Sequence, residues 1–146
     1  MTRARKIDAD AARAVFEAAL AAHEQDFETF FLARLLDLSF DYDEECCAIR
    51  FPVRAFAFNP QGSLHGGVIA SVMDISMGHL VNRLCGGPGA TLEMKVQYLR
   101  PVTSGEALCE GRFLRRGRSL GFMESRLFDD RERLCAMATG TWKLPG

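Results

Sequence analysis

The 146 residues carry 18 Lys+Arg against 19 Asp+Glu, a formal charge of −1, with 48% hydrophobic and 25% charged residues. This balance excludes a disordered chain and fits one domain with a sizeable core. Near-neutrality argues against a dedicated nucleic-acid binder, because neutralising phosphates takes a surplus of Lys and Arg.

Basic residues open the chain at Arg3, Arg5 and Lys6, but Asp8, Asp10, Arg13 and Glu17 interrupt any signal-peptide core. Residues 8–24 are Ala-rich, with Ile7, Ala11, Val15, Ala18, Ala19 and Ala22 near helical spacing, which predicts an amphipathic helix. Residues 35–58, rich in aromatic and β-branched side chains, predict two strands joined by a tight acidic turn at 41–45. The loop 59–64 then leads into His65-Gly66-Gly67.

From 68 to 83 the pattern is helical and mostly apolar, and its small or polar residues Ser71, Asp74, Gly78 and Asn82 fall on one narrow stripe. A helix apolar on every other side is expected to be buried. The run of highest apolarity, 66–81, contains Asp74 and His79 and is short for a membrane span of about 20 residues. Gly86-Gly87-Pro88-Gly89 ends the helix. In 91–99 the even positions Leu92, Met94, Val96 and Tyr98 are apolar and alternate with polar ones, the period of a half-buried antiparallel strand. Further strands are expected at 107–114, 120–128 and 134–142. Two strands, one buried helix and four strands make an α+β chain in which one antiparallel sheet wraps a long helix, rather than a series of βαβ units.

The five cysteines (Cys46, Cys47, Cys85, Cys109 and Cys135) are odd in number and lack C-x-x-C spacing. Buried free thiols in a reducing cytoplasm are therefore expected, not a disulfide framework or zinc ribbon. The histidines His23, His65 and His79 have no metal-ligand spacing, and no Rossmann, P-loop or nucleophile-elbow motif is present.

The peptide Asn59-x-x-Gly62-x-x-His65-Gly66-Gly67, with Asp74 nine residues after the His, resembles the hotdog-fold acyl-CoA thioesterases. The similarity is to the branch of phenylacetic-acid-degradation and 4-hydroxybenzoyl-CoA thioesterase-like proteins, and it runs from about residue 35 to 142. Supporting pieces are Gly87-Pro88-Gly89-Ala90-Thr91, Tyr98-Leu99-Arg100-Pro101 and Gly117-Arg118-Ser119. The resemblance implies a hotdog domain at 31–146 behind a helical extension at 1–30. It also implies a thioester hydrolase of aryl or medium- to long-chain acyl-CoA, with no cofactor beyond the coenzyme A of the substrate.

In this resemblance Asp74 is the acid that acts on the thioester carbonyl, as nucleophile or as general base; the sequence leaves the two open. Gly66 and Gly67, at the helix start, suit backbone stabilisation of the carbonyl oxygen, though two glycines also make a plain loop-to-helix turn. Asn59 matches a residue that orients water or substrate, or is an ordinary turn Asn before Pro60; His65 braces the loop or bonds the carbonyl; and Thr91 matches a Ser/Thr near the acid, or simply starts a strand. Ser71, on the same stripe, joins Gly67 as a substrate contact. Arg115, Arg116 and Arg118 form a cluster suited to the phosphates of coenzyme A, or an ordinary solvated turn.

Gly66 and Asp74 are eight residues apart, roughly 12 Å along one helix, so they cannot both touch one carbonyl within a protomer. A homodimer with shared sites is therefore expected, and the resemblance implies assembly into tetramers. The alternatives at this stage are a non-catalytic acyl-CoA sensor, a hydratase or dehydratase on the same fold, and acyl-carrier protein as the leaving group.

Overall fold

The computed structural model describes residues 6–146; the beginning of the expected extension, with Arg3 and Arg5, lies outside them. Helix α1 (Ala9–Ala22) is capped by Asp8, whose carboxylate accepts from the Asp10 and Ala11 amides. A loop and the short α2 (Phe31–Leu35) follow. Strands β1 (Ser39–Tyr42) and β2 (Cys46–Pro52) form a hairpin across the acidic turn. The extended run stops at Pro52, earlier than the expected 58, because proline has no N–H to continue the ladder; Ala55–Ala57 make a single tight 3-10 turn instead.

Helix α3 (Gly66–Leu84) is the long central helix. It begins two residues before the expected 68, which puts both glycines inside its first turn. Strands β3 (Ala90–Tyr98), β4 (Glu106–Arg116), β5 (Leu120–Phe128) and β6 (Leu134–Lys143) complete the chain. All six strands join one antiparallel sheet in the order β1-β2-β4-β5-β6-β3. This is the hotdog arrangement, a sheet curved around one helix.

Helix α3 lies mainly over β4, β5 and β2. Its inner face buries Val72, Met73, Met77 and Leu80 against Ile49, Phe51, Cys109, Met123 and Leu127, all at most 2% exposed. At about 2 kcal/mol for each large apolar side chain removed from water, this layer is the main stabilising contact of the fold. Two buried polar residues, Ser76 and His79, interrupt the apolar residues of the helix. Ser76 is fully buried, donates to the Met73 carbonyl at 2.7 Å and pairs with Ser125 at 2.8 Å, so its hydroxyl is satisfied. Beneath it Gly111 lets the helix approach β4: a Cβ there would stand 2.6 Å from the Ser76 carbonyl oxygen.

The five cysteines are free and four of them are buried; burial pushes the Cys109 thiol up to about 11. No described helix is long and apolar enough to cross a membrane.

Strand β3 differs from the half-buried strand that its alternation predicts. Met94 and Val96 are half-buried, but Leu92 and Tyr98 are 55% and 52% exposed. The cause is position: β3 is the sheet's outer strand next to β6, and α3 covers little of it. The middle of this apolar face, Met94 and Val96, packs against the core, and among the described residues its ends stay largely open.

Candidate functional site

The acid of the site is positioned by α3. Asp74 lies on the side of the helix away from the core, half-buried, one turn before Gly78. The Thr91 hydroxyl donates to its Oδ1 at 2.7 Å. A register shift between Thr91 and Glu93 marks a bulge at the start of β3. Such a bulge re-aims the side chains beside it, and here it accompanies a threonine turned toward the helix.

Asp74 and Thr91 open onto a cleft of about 270 Å³. Its other walls are Phe27, Gly78, Pro88 and Trp142, with His79 behind. Trp142 rises under Gly78 so closely that a Cβ at that glycine would lie 2.7 Å from the indole ring. The buried Trp142 Nε1–H has no hydrogen-bond partner among the described residues.

The other end of α3 holds the second group of expected residues. His65 is the N-cap, and its Nδ1 accepts from the Gly67 N–H at 2.8 Å. That bond occupies the Gly67 amide. The Gly66 N–H, the first of the helix, has no acceptor among the described residues, as is usual for a helix's opening amides. The Tyr98 hydroxyl donates to the Gly66 carbonyl at 2.6 Å, and its ring lies where a side chain at position 66 would go. Ser71, one turn on, donates to the Gly67 carbonyl at 2.8 Å.

Asn59 is engaged in its own loop. Its Oδ1 accepts from the Gln61 and Ser63 amides, and its Nδ2 donates to the Ser63 hydroxyl. Within the protomer it therefore shapes the turn that delivers His65. Arg115, Arg116 and Arg118 are exposed at the end of β4 and the turn after it. Arg116 donates to the Leu84 carbonyl at 2.8 Å, so the cluster stands at the C-terminal end of α3. Leu84 is ten residues, or roughly 15 Å, along the helix from Asp74.

One protomer thus brings Asp74 together with Thr91, and His65 together with Gly66, Gly67 and Ser71, but keeps the two groups at opposite ends of half a helix. Sequence reasoning missed Phe27, His79, Pro88 and Trp142 as neighbours of the acid. Gly78 carried a usable signal, since a residue four beyond Asp74 shares its face of a helix. Nothing local in the sequence marks Phe27 or Trp142, which arrive from distant elements.

His79, behind the cleft, is a perturbed ionisable group. It is 6% exposed, and its Nε2–H donates to the Phe27 carbonyl. The Phe40 ring stacks on it at 4.7 Å and the Phe27 ring meets it edge-on at 5.0 Å. Burial among these rings lowers its pKa below the ordinary 6.5, and the imidazole is held neutral near pH 7.

The geometry can now be set beside known proteins. The chain is 35% identical over 82 residues to “Putative esterase SSO1253” of Saccharolobus solfataricus, a match covering 56% of this chain and 55% of that protein. The chain therefore spans little more than half the length of that relative. It is also 35% identical over 66 residues to acyl-coenzyme A thioesterase 13 of Mus musculus, covering 44% of this chain and 47% of that one. The crystal structure of the BH2602 protein from Bacillus halodurans with CoA superposes with a TM-score of 0.81 at 24% identity, covering 92% of this chain and 88% of that one. At that identity the superposition speaks for the hotdog fold alone. The model of the thioesterase superfamily matches residues 61–136, slightly more than half of the chain and the stretch from the loop before His65 to the last strand. The chain belongs to the thioesterase superfamily.

Proposed function

We propose that this protein is an acyl-CoA thioesterase that hydrolyses an acyl-CoA to the free acid and coenzyme A. The observation that carries the reading is Asp74, held by the Thr91 hydroxyl and open to a cleft with largely apolar walls. A carboxylate beside an apolar cleft is costly unless it is paired or used, and one hydroxyl is a modest partner for it. The name of the mouse relative adds support for a coenzyme A thioester as substrate.

On this reading Asp74 attacks the thioester carbonyl itself or takes a proton from the water that does. The C–S bond breaks, the coenzyme A sulfur leaves and is protonated, and water supplies the acid's new oxygen. The Gly66 N–H, at the positive end of α3, receives the negative charge that develops on the carbonyl oxygen. His65 holds the first turn in shape through Gly67, and Ser71 and Asn59 brace the surrounding backbone. Arg115, Arg116 and Arg118 offer guanidinium groups to the phosphates, and no cofactor is needed beyond the coenzyme A of the substrate.

The roughly 12 Å between Gly66 and Asp74 on one helix requires that a complete site draw them from two protomers. Strand β3 supports the same conclusion, because it leaves Leu92, Tyr98 and Leu99 exposed on an unpaired sheet edge. The proposed unit is a homodimer joined through β3, which pairs into tetramers in the cytoplasm, with residues 31–146 as the catalytic domain and 1–30 as a helical extension.

The test is turnover of a panel of aryl- and fatty-acyl-CoAs by wild-type protein and by Asp74→Asn. The expected result is hydrolysis by wild type and a loss of at least about a hundredfold in kcat for the variant, with melting temperature kept. An Asp74→Asn protein at wild-type rate overturns the role of Asp74. Tight binding of acyl-CoA with no turnover by wild type replaces the enzyme with a sensor.

A further inference from the structure

The cleft beside Asp74 is closed on one side by a residue from outside the matched family region. Phe27 belongs to the loop between α1 and α2, yet it lines the same cleft as Asp74, Thr91, Pro88 and Trp142. The loop is firmly built. Glu24 N–H donates to the Thr29 carbonyl at 3.0 Å, and the Asp26 carboxylate accepts from the Glu28 amide, the Thr29 amide and the Thr29 hydroxyl. These bonds present Phe27 at the loop's tip. There its carbonyl accepts from His79 Nε2–H, which fixes the backbone to α3 one turn beyond Asp74.

The side chain of Phe27 is only partly absorbed by this anchoring, its ring meeting the His79 ring edge-on. It is 37% exposed, although its main chain is pinned to a buried histidine. A large apolar side chain left partly exposed by a braced loop, at the wall of a cleft that contains a carboxylate, is placed to meet a ligand. The cleft volume of about 270 Å³ falls just under the usual lower limit of about 300 Å³ for small-molecule pockets. Its floor is the Trp142 ring beneath Gly78, and Phe27 and Pro88 form its sides. Two flat aromatic walls, Phe27 and Trp142, beside the compact Gly78, Pro88 and Gly89 suit a compact acyl group, above all an aryl one, better than an extended alkyl chain.

Resting on the proposed thioesterase reading of Asp74, we infer that Phe27 is the specificity-determining residue of the site: it limits the acyl group to compact or aryl forms by closing the far side of the cleft. Its action is steric. Removing the ring opens the cleft toward solvent along the α1–α2 loop, and a longer chain can then pass.

The experiment measures kcat/KM for benzoyl-, phenylacetyl-, butyryl-, octanoyl- and dodecanoyl-CoA with wild type, Phe27→Ala, Phe27→Leu and Phe27→Trp. Butyl- and dodecyl-CoA thioethers, which cannot be hydrolysed, are titrated by calorimetry in parallel. Wild type should prefer the compact and aryl substrates. Phe27→Ala should raise the ratio of dodecanoyl to phenylacetyl turnover at least tenfold, and the dodecyl-to-butyl affinity ratio in the same direction, with Phe27→Leu intermediate. Phe27→Trp should lower turnover of the phenyl substrates before butyryl-CoA. An active wild type whose ratios stay within twofold across folded variants overturns this inference and leaves the thioesterase reading standing. A wild type that hydrolyses none of the panel overturns the thioesterase reading, and the thioether ratios then decide separately whether Phe27 limits the bound chain.

Discussion

The Thr91 hydroxyl donates to Asp74 Oδ1 across 2.7 Å, tying the bulged start of β3 to the middle of α3. The bond fixes one carboxylate oxygen, while Oδ2 has no hydrogen-bond partner among the described residues. It converts a side chain with several rotamers into one aimed at a single place.

Thr91→Val keeps the shape of the side chain and removes this donor. The expected effect is a fall of about ten- to hundredfold in kcat with KM little changed, the scale of one hydrogen bond to a charged group. Thr91→Ser restores most of the rate. Equal losses in the Val and Ser variants, or a rise confined to KM, would show that Thr91 acts on packing and not on the aim of Asp74.

Gly66→Pro removes the proposed oxyanion donor, and Gly66→Ala, which crowds the Tyr98 ring in the same way but keeps the N–H, is the control for the added side chain. Proline is well accepted at the first helical position, and His65 before it already has extended backbone, φ −60 and ψ 134. Hydrolysis should fall about a hundredfold or more. Mixing Gly66→Pro with Asp74→Asn protein should recover about a quarter of wild-type activity, because half of randomly paired dimers hold one intact shared site. No recovery in exchanged mixtures would mean that each protomer works alone.

His79 gives the fold a pH dependence with a definite sign. Burial lowers its folded pKa, opposed first by hydrogen bonding to the Phe27 and Ile75 carbonyls and then by the Glu28 and Asp74 carboxylates, so below the ordinary 6.5 the unfolded chain binds a proton that the folded chain refuses. The stability that neutral His79 contributes is full above about pH 6.5 and is lost as pH falls from there toward the folded value. Urea melts between pH 8 and pH 5 should show this decline. His79→Leu, melted over the same range, should show a shallower slope; an identical slope would assign the effect to other groups.

Much of this fold is legible from periodicity. The stretch 120–128 coincides with β5, and the buried helix follows from the run of apolar residues around one polar stripe. The hairpin at 41–45 follows from an acidic break between apolar runs. What periodicity cannot supply is the company that residues keep. Ser76 and His79 sit on faces that read as apolar, and they are tolerated because Ser125 and the Phe27 carbonyl happen to meet them. Leu92 and Tyr98 alternate as core residues do, yet they are exposed in one protomer because sheet order places β3 at the edge. The motif around His65 and Asp74 brought the family into view, and the spacing between Gly66 and Asp74 already raised the question of a second copy. Phe27 had no signal, since a loop residue some fifty positions from His79 reaches the cleft only through folding.

Tyr98 stands at the end of the exposed strand and reaches across to the Gly66 carbonyl. If β3 is where two protomers meet, that hydroxyl is a mechanical link from the seam to the first turn of α3. Assembly would then set the posture of the amide that receives the substrate's charge, and a lone protomer would carry the residues of an enzyme in an unarmed state. Dilution would act as an off switch, with specific activity falling at concentrations where the seam comes apart.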